Sequence, residues 1–384
     1  MKCLSVCNNG LKQASRAWRK DVDAFLLGEG FISLHADPCV YIMKDENGKT
    51  IAMISVHVDD FLLSAHEPML EKIKALLNGN YEMKDLGELT TYVGIRVRTA
   101  KDGKSLEMDQ RAALEEILED FGMARCNSSV STPVDPKVEA ADTSEDPSTI
   151  LPSMDATRYR ELVGRLLYIC RCTRPDISFA VGVLARYMQS PSEKHWRWGK
   201  RVLRYLKGTL DHVLRFTVEG MDKKLSVEGY SDSDWAGCLS TRKSTSGQVF
   251  MMGRCAMSWK SARQATVARS TCEAELIALN AAVSEAVWFK HLLSELTGEE
   301  HGPVTLYEDN ESAKAIAQDD RQSERTKHMD VKHFAIREFI QNGDVVVKSI
   351  ASADNLADLF TKALQRGPFC RLREAIGVVP SSIP

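Results

Sequence analysis

The stretch LSVEGYSDSDWAG (225–237) and the stretch STCEAELIAL (270–279) decide how the C-terminal half of this sequence is interpreted. The first is typical of a β-strand whose end carries Asp232 and Asp234. The second begins a long helix, because Ser270 and Glu273 have the S-x-x-E spacing of a helix-capping box. These two stretches therefore predict a strand and a helix that each place carboxylates near one end.

The neighbouring segments alternate between strand and helix patterns. They are the strands GQVFMMG (247–253), AMSWKS (256–261), VTLYED (304–309) and VVVKSI (345–350), and the helices ESAKAIAQ (311–318), VKHFAIREFIQNG (331–343) and NLADLFTKAL (355–364). This order predicts a mixed α/β domain in which a sheet is flanked by helices.

Three further carboxylates in this region are candidates for a functional site. Glu275 lies on a helix face that continues through Leu279 and Ala282, and a carboxylate on an apolar face is costly unless a cation compensates it. Asp309 comes at the end of a strand, where an ordinary helix N-cap is the competing interpretation. Asp358 lies in a predicted helix, where a solvated surface position is the competing interpretation.

Together with Asp232, these carboxylates could serve one site that binds two metal ions. Two divalent ions about 3.5–4 Å apart need several carboxylates as bridging and terminal ligands. Hard oxygen ligands favour Mg²⁺ or Mn²⁺, and such a pair assists the in-line cleavage of a phosphodiester. The candidate catalytic and metal-binding residues are therefore Asp232, Glu275, Asp309 and Asp358.

The sequence strings around these carboxylates also resemble a known family. YSDSDWAGCLSTRKSTSGQVF, SWKSARQATVARSTCEAELIAL, LYEDNESAKAIA, KHMDVKHFAIREFI and ADNLADLFTKAL are similar, in this order, to the ribonuclease H domain of copia-type retrotransposon polyproteins. The resemblance implies a ribonuclease H-like mixed five-stranded sheet flanked by helices. It also implies that Asp232, Glu275, Asp309 and Asp358 hold two Mg²⁺ or Mn²⁺ ions and that the substrate is an RNA–DNA hybrid.

Several residues near the expected site have competing interpretations. Asp234 competes with Asp232 as the first ligand, because both are even-numbered and strand parity does not separate them. Asp232 is preferred because it matches the first aspartate of the family. Ser244 and Thr245 are candidate contacts for a nucleic-acid backbone, with a turn before a strand as the alternative. Helix capping is favoured over an auxiliary site for His328, Asp330 and His333.

Residues 10–129 resemble the reverse transcriptase of the same polyproteins. The matching strings include GLKQASRAW, ADPCVYI, VHVDD and YEMKDLGELTTYVGIRV. VHVDD predicts a hairpin that presents Asp59 and Asp60, but the family places a further polymerase aspartate before the LKQA-type segment. Asp59 and Asp60 are therefore interpreted as a vestigial polymerase metal site, and no RNA-directed DNA polymerase activity is expected from this chain alone.

The patterns divide the chain into five parts. They are a truncated reverse transcriptase with a palm hairpin and a thumb-like part (1–130), an acidic Pro/Ser linker (131–157), a helical connection segment (158–218), the ribonuclease H-like domain (224–366) and a C-terminal tail (367–384). In the connection segment, basic residues at three- and four-residue steps predict a stripe for phosphate binding, with a solvated helix face as the alternative. The stripe consists of Lys194, Arg197, Lys200, Arg201, Arg204 and Lys207.

The composition limits the class of protein. With 384 residues, 43% hydrophobic and 27% charged, the chain is long enough for two or three domains with their own cores. Its net charge of −3 means that any nucleic-acid contact must come from local basic patches. Its ten cysteines form no CxxC pattern and are expected to be reduced thiols. Without a recognisable signal peptide or a run near the ~20 apolar residues of a membrane span, we expect an intracellular, cytoplasmic or nuclear, protein with no membrane partner.

Three hypotheses follow for the function. The leading one is a retrotransposon-derived ribonuclease H that hydrolyses the RNA strand of a hybrid with two metal ions. The first alternative is a catalytically inactive transposon fragment that at most binds nucleic acid. The second alternative is the C-terminal piece of an active reverse transcriptase polyprotein, so that the remainder of a Pol polyprotein is a partner.

Overall fold

The computed structural model describes residues 14–136, 151–218, 225–238, 240–318 and 332–383. Contacts divide the chain into two compact units, and each is described by itself. The first consists of Met1–Glu88 with Trp288–Gly302, and the second consists of Leu89–Val287 with Pro303–Pro384. The five-part division drawn from the sequence stays a prediction.

The first unit is built on a four-stranded antiparallel sheet of order β1-β2-β3-β4. Its elements are α1 (Ala14–Gly28), β1 (Ile32–Ser33), β2 (Val40–Lys44), β3 (Thr50–His57), β4 (Asp60–Ala65) and α2 (Glu67–Asn80). The helices bury Val22, Leu26, Ile73 and Leu77 in one core with the sheet. Strands β2 and β3 form a hairpin, and Gly48 in its turn has the positive φ, 78°, that Asn-Gly turns require.

The second unit contains two five-stranded sheets. Its elements are β5 (Thr91–Tyr92), β6 (Ile95–Thr99), β7 (Ser105–Asp109), α3 (Arg111–Asp120), α4 (Ser153–Cys172), α5 (Ser178–Ala185), α6 (Glu193–Gly208), β8 (His212–Thr217), β9 (Glu228–Ser233), β10 (Thr245–Met252), β11 (Cys255–Arg263), α7 (Thr271–Thr297, to Val287 in this unit), β12 (Val304–Glu308), α8 (Glu311–Gln318), α9 (Lys332–Gln341), β13 (Val345–Ser349), α10 (Arg366–Ala375) and β14 (Val378–Pro380).

The sheet that carries the predicted site is mixed, with the order β11-β10-β9-β12-β13. Strands β9, β10 and β11 form an antiparallel meander, whereas β9, β12 and β13 are parallel. Parallel neighbours need crossover connections, and helices α7, α8 and α9 lie in those connections along the chain. The predicted mixed five-stranded sheet flanked by helices is therefore confirmed.

The second sheet of this unit, β14-β8-β7-β6-β5, changes two expectations. The connection segment, predicted as mainly helical, contains α4, α5 and α6 but ends in strand β8, which pairs with β7. The segment predicted as a C-terminal tail contains α10 and β14, and β14 pairs with β8. These elements bury Phe369, Leu372 and Val378 in the core that α4, α5 and α6 share with the mixed sheet.

Two local predictions need correction. The predicted helix around Asp358 is a short 3-10 segment, Leu356–Phe360, which begins where the side chain of Asn355 accepts a hydrogen bond from the backbone N–H of Ala357. The first residues of the predicted linker pack into the protein, since Thr132 and Pro133 are buried. Residues 137–150 of that linker lie outside the described part of the chain.

Helix α7 is long and apolar enough, by length and composition, to cross a membrane. The sequence interpretation that no segment approaches this apolar content is therefore wrong for α7. Its apolar side chains are used inside the fold: Ala274, Leu276, Ala278, Leu279, Ala282, Val283 and Ala286 are buried. The expected absence of a membrane partner stays a prediction.

Candidate metal centre

Strand β9, the central strand of the mixed sheet, carries Asp232 near its C-terminal end. Asp232 is 2% exposed, and the hydroxyl of Thr361 donates a hydrogen bond to its carboxylate. Thr361 follows the 3-10 segment that carries Asp358, so the same contact fixes both carboxylates relative to β9. Asn355 strengthens this arrangement, because its amide donates to the backbone oxygen of Ser231 at 2.8 Å.

Strand β12 and helix α7 bring three more carboxylates to the same end of the strands as Asp232. Glu308 is the last residue of β12, Asp309 follows it directly, and Glu275 lies in the second turn of α7. Glu275 is 7% exposed and Glu308 is fully buried. Glu308 accepts hydrogen bonds from the hydroxyl of Ser231 at 2.8 Å and from the backbone N–H of Asn310 at 3.2 Å.

The carboxylates form two overlapping groups. Oxygen atoms of Asp232, Asp309 and Asp358 lie within 4.8 Å of one another, and so do those of Glu275, Glu308 and Asp309. Asp309 belongs to both groups and links them. The structure therefore brings together all four carboxylates that the sequence singled out, with Glu308 as a fifth member.

Without bound cations, burial and mutual repulsion destabilise the charged forms of these carboxylates. Burial, followed by the charges of Glu308 and Asp232, raises the pKa of Glu275 to about 9. Burial also raises the pKa of Glu308 to about 8, and burial with the charge of Asp232 raises the pKa of Asp358 to about 7. The pKa of Asp232 is likewise raised, chiefly by burial. Carboxylates in such an environment are stabilised in their charged form by bound cations.

Among the residues that the structure describes, one cationic side chain reaches the cluster. The ammonium group of Lys362 lies 2.6 Å from Asp358 Oδ1 and 3.7 Å from Asp232 Oδ2. Burial disfavours its charge, but Asp232 and Asp358 outweigh burial and raise the pKa of Lys362. A single ammonium group does not neutralise five carboxylates, and Glu275 Oε2 is buried without a hydrogen-bond partner among the described residues. The donor set thus fits hard divalent cations.

The geometry favours Asp232 over Asp234 as the member of the carboxylate cluster. Asp234 lies beyond the end of β9, where its carboxylate accepts a hydrogen bond from the backbone N–H of Thr245. Burial raises the pKa of Asp234 to about 6, but its oxygens belong to neither carboxylate group. Asp234 therefore serves the turn that leads into β10.

The competing interpretation of Asp309 as a helix cap does not hold. Asn310 takes that role at the start of α8, because its side-chain oxygen accepts a hydrogen bond from the N–H of Ala313 at 3.0 Å. Asp309 is thus left to face the other carboxylates. Ser270 does cap α7 as predicted, accepting from the N–H of Glu273 at 3.1 Å.

The pKa shifts predict how the metal-free chain responds to pH. Between the ordinary glutamate value of 4.5 and the folded value of about 9, folded Glu275 keeps a proton that the unfolded chain releases. The free energy of unfolding therefore falls as pH rises through this window. We expect the melting temperature in EDTA to decrease from pH 6 to pH 9, and Mn²⁺ to raise it more at pH 8.5 than at pH 6.

Thermal melts of the native chain and of Glu275→Gln check this prediction. The variant carries no titrating group at this position, so its melting temperature in EDTA should depend less on pH. An equally steep pH dependence in the variant would mean that Glu275 ionises like an exposed carboxylate.

The predicted polymerase residues lie in the first unit. Asp59 is in the turn between β3 and β4, Asp60 begins β4, and both are exposed. Val58 in the same turn has a φ of 54°, which is uncommon for a β-branched residue. Within the described part of the chain, neither aspartate belongs to a group of three or more potential metal ligands.

The predicted basic stripe lies on α6, where several of its side chains have partners inside the second unit. Arg201 lies 3.5 Å from Asp135 and donates to Thr132 at 3.2 Å, and Lys207 donates to the backbone oxygen of Cys126 at 2.6 Å. Lys194 and Lys200 lie over the rings of Trp198 and Trp196, and Arg204 is half-buried. Arg197 is exposed. Nucleic-acid binding by the stripe stays a prediction.

Ser244 and Thr245, the other residues predicted to contact a nucleic-acid backbone, are not exposed at this site. Ser244 and Thr245 are fully buried; Ser244 accepts from the N–H of Ala236, and Thr245 accepts from Arg186 at 2.9 Å. They support the turn and the start of β10, so the expectation of nucleic-acid contacts by these two side chains is corrected. His328 and Asp330, and the side chain of His333, lie outside the described residues.

Glu308 is the member of the cluster that the sequence interpretation missed. The alternation in VTLYE carried the signal, because Val304, Leu306 and Glu308 fall on the same side of the strand and all three are buried. A carboxylate in phase with two core residues indicates a compensated buried charge. Thr361 and Lys362 carried no comparable signal, since their positions depend on how the 3-10 segment packs.

Comparisons with known proteins match the N-terminal part of the chain to one family and nearly all of the chain to longer polyproteins. Residues 2–136 match the family described as reverse transcriptase (RNA-dependent DNA polymerase). The chain is 35% identical over 372 residues to the retrovirus-related Pol polyprotein from transposon TNT 1-94 of Nicotiana tabacum, covering 96% of this chain and 27% of that protein. It is also 35% identical over 372 residues to the Pol polyprotein from transposon RE2 of Arabidopsis thaliana, covering 96% and 24%.

A solved structure shares the fold at low sequence identity. It is the foamy viral protease-reverse transcriptase in complex with an RNA/DNA hybrid, with a TM-score of 0.52 and 13% identity, covering 93% of this chain and 40% of that chain. The chain spans about a quarter of the length of the curated relatives named above. Its similarity to them extends over nearly all of its own residues, and the chain therefore belongs to the family of retrovirus-related Pol polyproteins of copia-type retrotransposons.

Proposed function

We propose that the second unit is a ribonuclease H that hydrolyses the RNA strand of an RNA–DNA hybrid with two divalent metal ions. The observation that carries the proposal is the pair of overlapping carboxylate groups joined through Asp309. Carboxylates that belong to two adjacent groups have the connectivity that a two-ion site needs. The family match and the fold of a relative solved with an RNA/DNA hybrid support the choice of nucleic-acid substrate.

The residues that would hold the ions are the five carboxylates of the cluster. Asp232, Asp309 and Asp358 would hold one Mg²⁺ or Mn²⁺ ion, and Glu275, Glu308 and Asp309 the other. Ions bound there supply Lewis acidity that activates a water molecule and stabilises the leaving oxygen of the phosphodiester.

The surrounding side chains contribute positioning. Thr361 holds Asp232 by a hydrogen bond, and Ser231 holds Glu308, so both carboxylates are fixed before any ligand arrives. Such preorganisation lowers the cost of forming a charged transition state. Lys362, at 43% side-chain exposure, pairs with Asp358.

The experiment that tests the proposal compares nucleic acids and strands. The purified chain is incubated with an RNA–DNA hybrid, duplex DNA or single-stranded RNA, each labelled on one strand, in Mg²⁺, Mn²⁺ or EDTA. Metal-dependent cutting of the RNA strand in the hybrid alone is the expected result. Cutting of duplex DNA at the same rate, or no cutting by a folded chain that binds Mn²⁺, would overturn the proposal.

A second candidate function rests on a separate observation. Residues 2–136 match the reverse transcriptase family, and Asp59 and Asp60 are exposed at one hairpin. We propose that this part acts as polymerase only together with further residues of a Pol polyprotein. Primer extension on an RNA template by this chain alone would contradict that dependence.

The stripe on α6 gives a further prediction about hybrid binding. Arg197→Gln removes an exposed charge, so the slope of log affinity against log salt concentration should become about 0.9 shallower if Arg197 contacts one phosphate. Arg201→Gln is the matched comparison, because this change also breaks the contacts with Thr132 and Asp135 and should lower the melting temperature. Binding measured at several salt concentrations checks both changes. An unaltered slope in Arg197→Gln would assign this residue to a solvated helix face.

A further inference from the structure

One exposed tryptophan lies beside the carboxylate cluster. Trp235 is 53% exposed and follows Asp232 by three residues, so their Cα atoms are at most about 11 Å apart. Large aromatic side chains are usually buried, and a single exposed one is not unusual by itself. Its position at the end of β9 raises the question of what covers it.

The backbone holds Trp235 in a defined place. The indole N–H donates to the backbone oxygen of Ala268 at 3.4 Å, in the loop that leads into α7. The next residue, Ala236, has a positive φ of 54° and donates its N–H to Ser244 at 3.0 Å. A non-glycine residue in this conformation persists only where the surroundings impose it. The loop therefore presents the indole ring rather than leaving it to move freely.

The neighbouring loop adds an apolar and a basic component. Val267 is 50% exposed, and Arg263 and Arg269 are exposed on either side of it along the chain. The pairing of Thr245 with Arg263 and of Ser246 with Ser233 places both loops at the same end of the strands as Asp232. The segments 235–244 and 261–270 together contain three arginines and one lysine but no aspartate or glutamate.

We propose that Trp235, Arg242, Arg263, Val267 and Arg269 form an aromatic and basic rim that binds the backbone of the nucleic-acid substrate next to the cleavage site. This inference rests on the proposed function and names the residues that would hold its substrate. Trp235 and Val267 supply an apolar surface for the sugars exposed in the shallow minor groove of the hybrid. The arginines supply charge for the phosphates, in a protein whose net charge of −3 gives no general attraction to a polyanion.

The two components of the rim predict different dependences on salt. An aromatic contact is removed by truncation and contributes equally at all salt concentrations, whereas each arginine–phosphate contact adds about 0.9 to the salt slope. We expect Trp235→Ala to weaken hybrid binding about tenfold at every salt concentration, because truncation removes the apolar surface that contacts the sugars. Arg269→Gln should weaken binding mainly at low salt and make the slope shallower.

The test measures binding of a labelled RNA–DNA hybrid to the full chain in EDTA, where cutting does not interfere. Trp235→Phe keeps an aromatic ring and should restore affinity to within about threefold of the native chain. Met257→Ala is the matched control, because Met257 is 40% exposed near the opposite end of β11. Val267→Asp is a second rim variant that leaves the indole hydrogen bond in place, and it should also weaken binding.

The outcomes separate the rim from the proposed activity. If folded Trp235→Ala and Val267→Asp bind the hybrid as tightly as the native chain, the rim proposal is wrong whether or not the chain cuts RNA. If both variants lose affinity while Met257→Ala does not, the rim is supported even when the native chain shows no cleavage.

Discussion

Replacing Asp309 by asparagine should reduce hybrid cleavage on the order of 10³-fold and leave the fold intact. Asp309 is the carboxylate common to both groups of potential ligands, so its loss affects both proposed ions at once. Asparagine has nearly the same shape, and the helix cap of α8 is supplied by Asn310 rather than by Asp309. Single-turnover cleavage of a labelled hybrid in Mg²⁺ measures the effect.

The control for this variant is its melting temperature in EDTA. A value close to that of the native chain shows that the loss concerns chemistry rather than folding. Turnover at the native rate in a folded Asp309→Asn variant would remove Asp309 from the site.

Replacing Glu308 by glutamine should weaken Mg²⁺ binding and should stabilise the metal-free chain. Because Glu308 would be one of three ligands of one ion, the apparent affinity for Mg²⁺ should fall by at least the roughly 10- to 100-fold seen when a ligand's supporting partner is lost, and cleavage should recover at high metal concentration. The metal-free chain should become more stable at pH 8, because a fully buried carboxylate with a pKa raised to about 8 is replaced by a neutral amide. Cleavage rates across a Mg²⁺ titration and thermal melts in EDTA measure these two effects.

The matched comparison is Asp309→Asn, whose cleavage should not recover at high Mg²⁺. A Glu308→Gln chain that is less stable in EDTA and unchanged in its Mg²⁺ dependence would show that Glu308 has a structural role only.

The elements that carry the cluster were predictable where local patterns determine them. The apolar face that continues from Glu275 through Leu279 and Ala282 indicated a carboxylate directed towards the core, and all three side chains are buried. Strand alternation indicated the direction of Glu308 in the same way, although that residue was not singled out. These features follow from side-chain period alone.

The position of Asp358 was not predictable from local pattern, because its sequence resembles a surface helix. The 3-10 segment is buried because β10 has a glycine beside it. A Cβ added at Gly247 would lie 2.8 Å from the backbone oxygen of Ala357 and 2.9 Å from Phe360 Cβ. Such a close approach depends on tertiary packing, and the pairing of β14 with β8 is equally non-local, joining Val378 to Leu214.

The measurement that tests the central claim most directly is cleavage of an RNA-labelled hybrid by the native chain and by Glu275→Gln, in Mn²⁺ and in EDTA. Glu275 is buried in the second carboxylate group, and its substitution keeps the shape of the side chain. We predict Mn²⁺-dependent cutting by the native chain, none in EDTA, and a loss on the order of 10³-fold in the variant. Equal cutting by native and variant chains, or cutting that persists in EDTA, would contradict a two-metal site at these carboxylates.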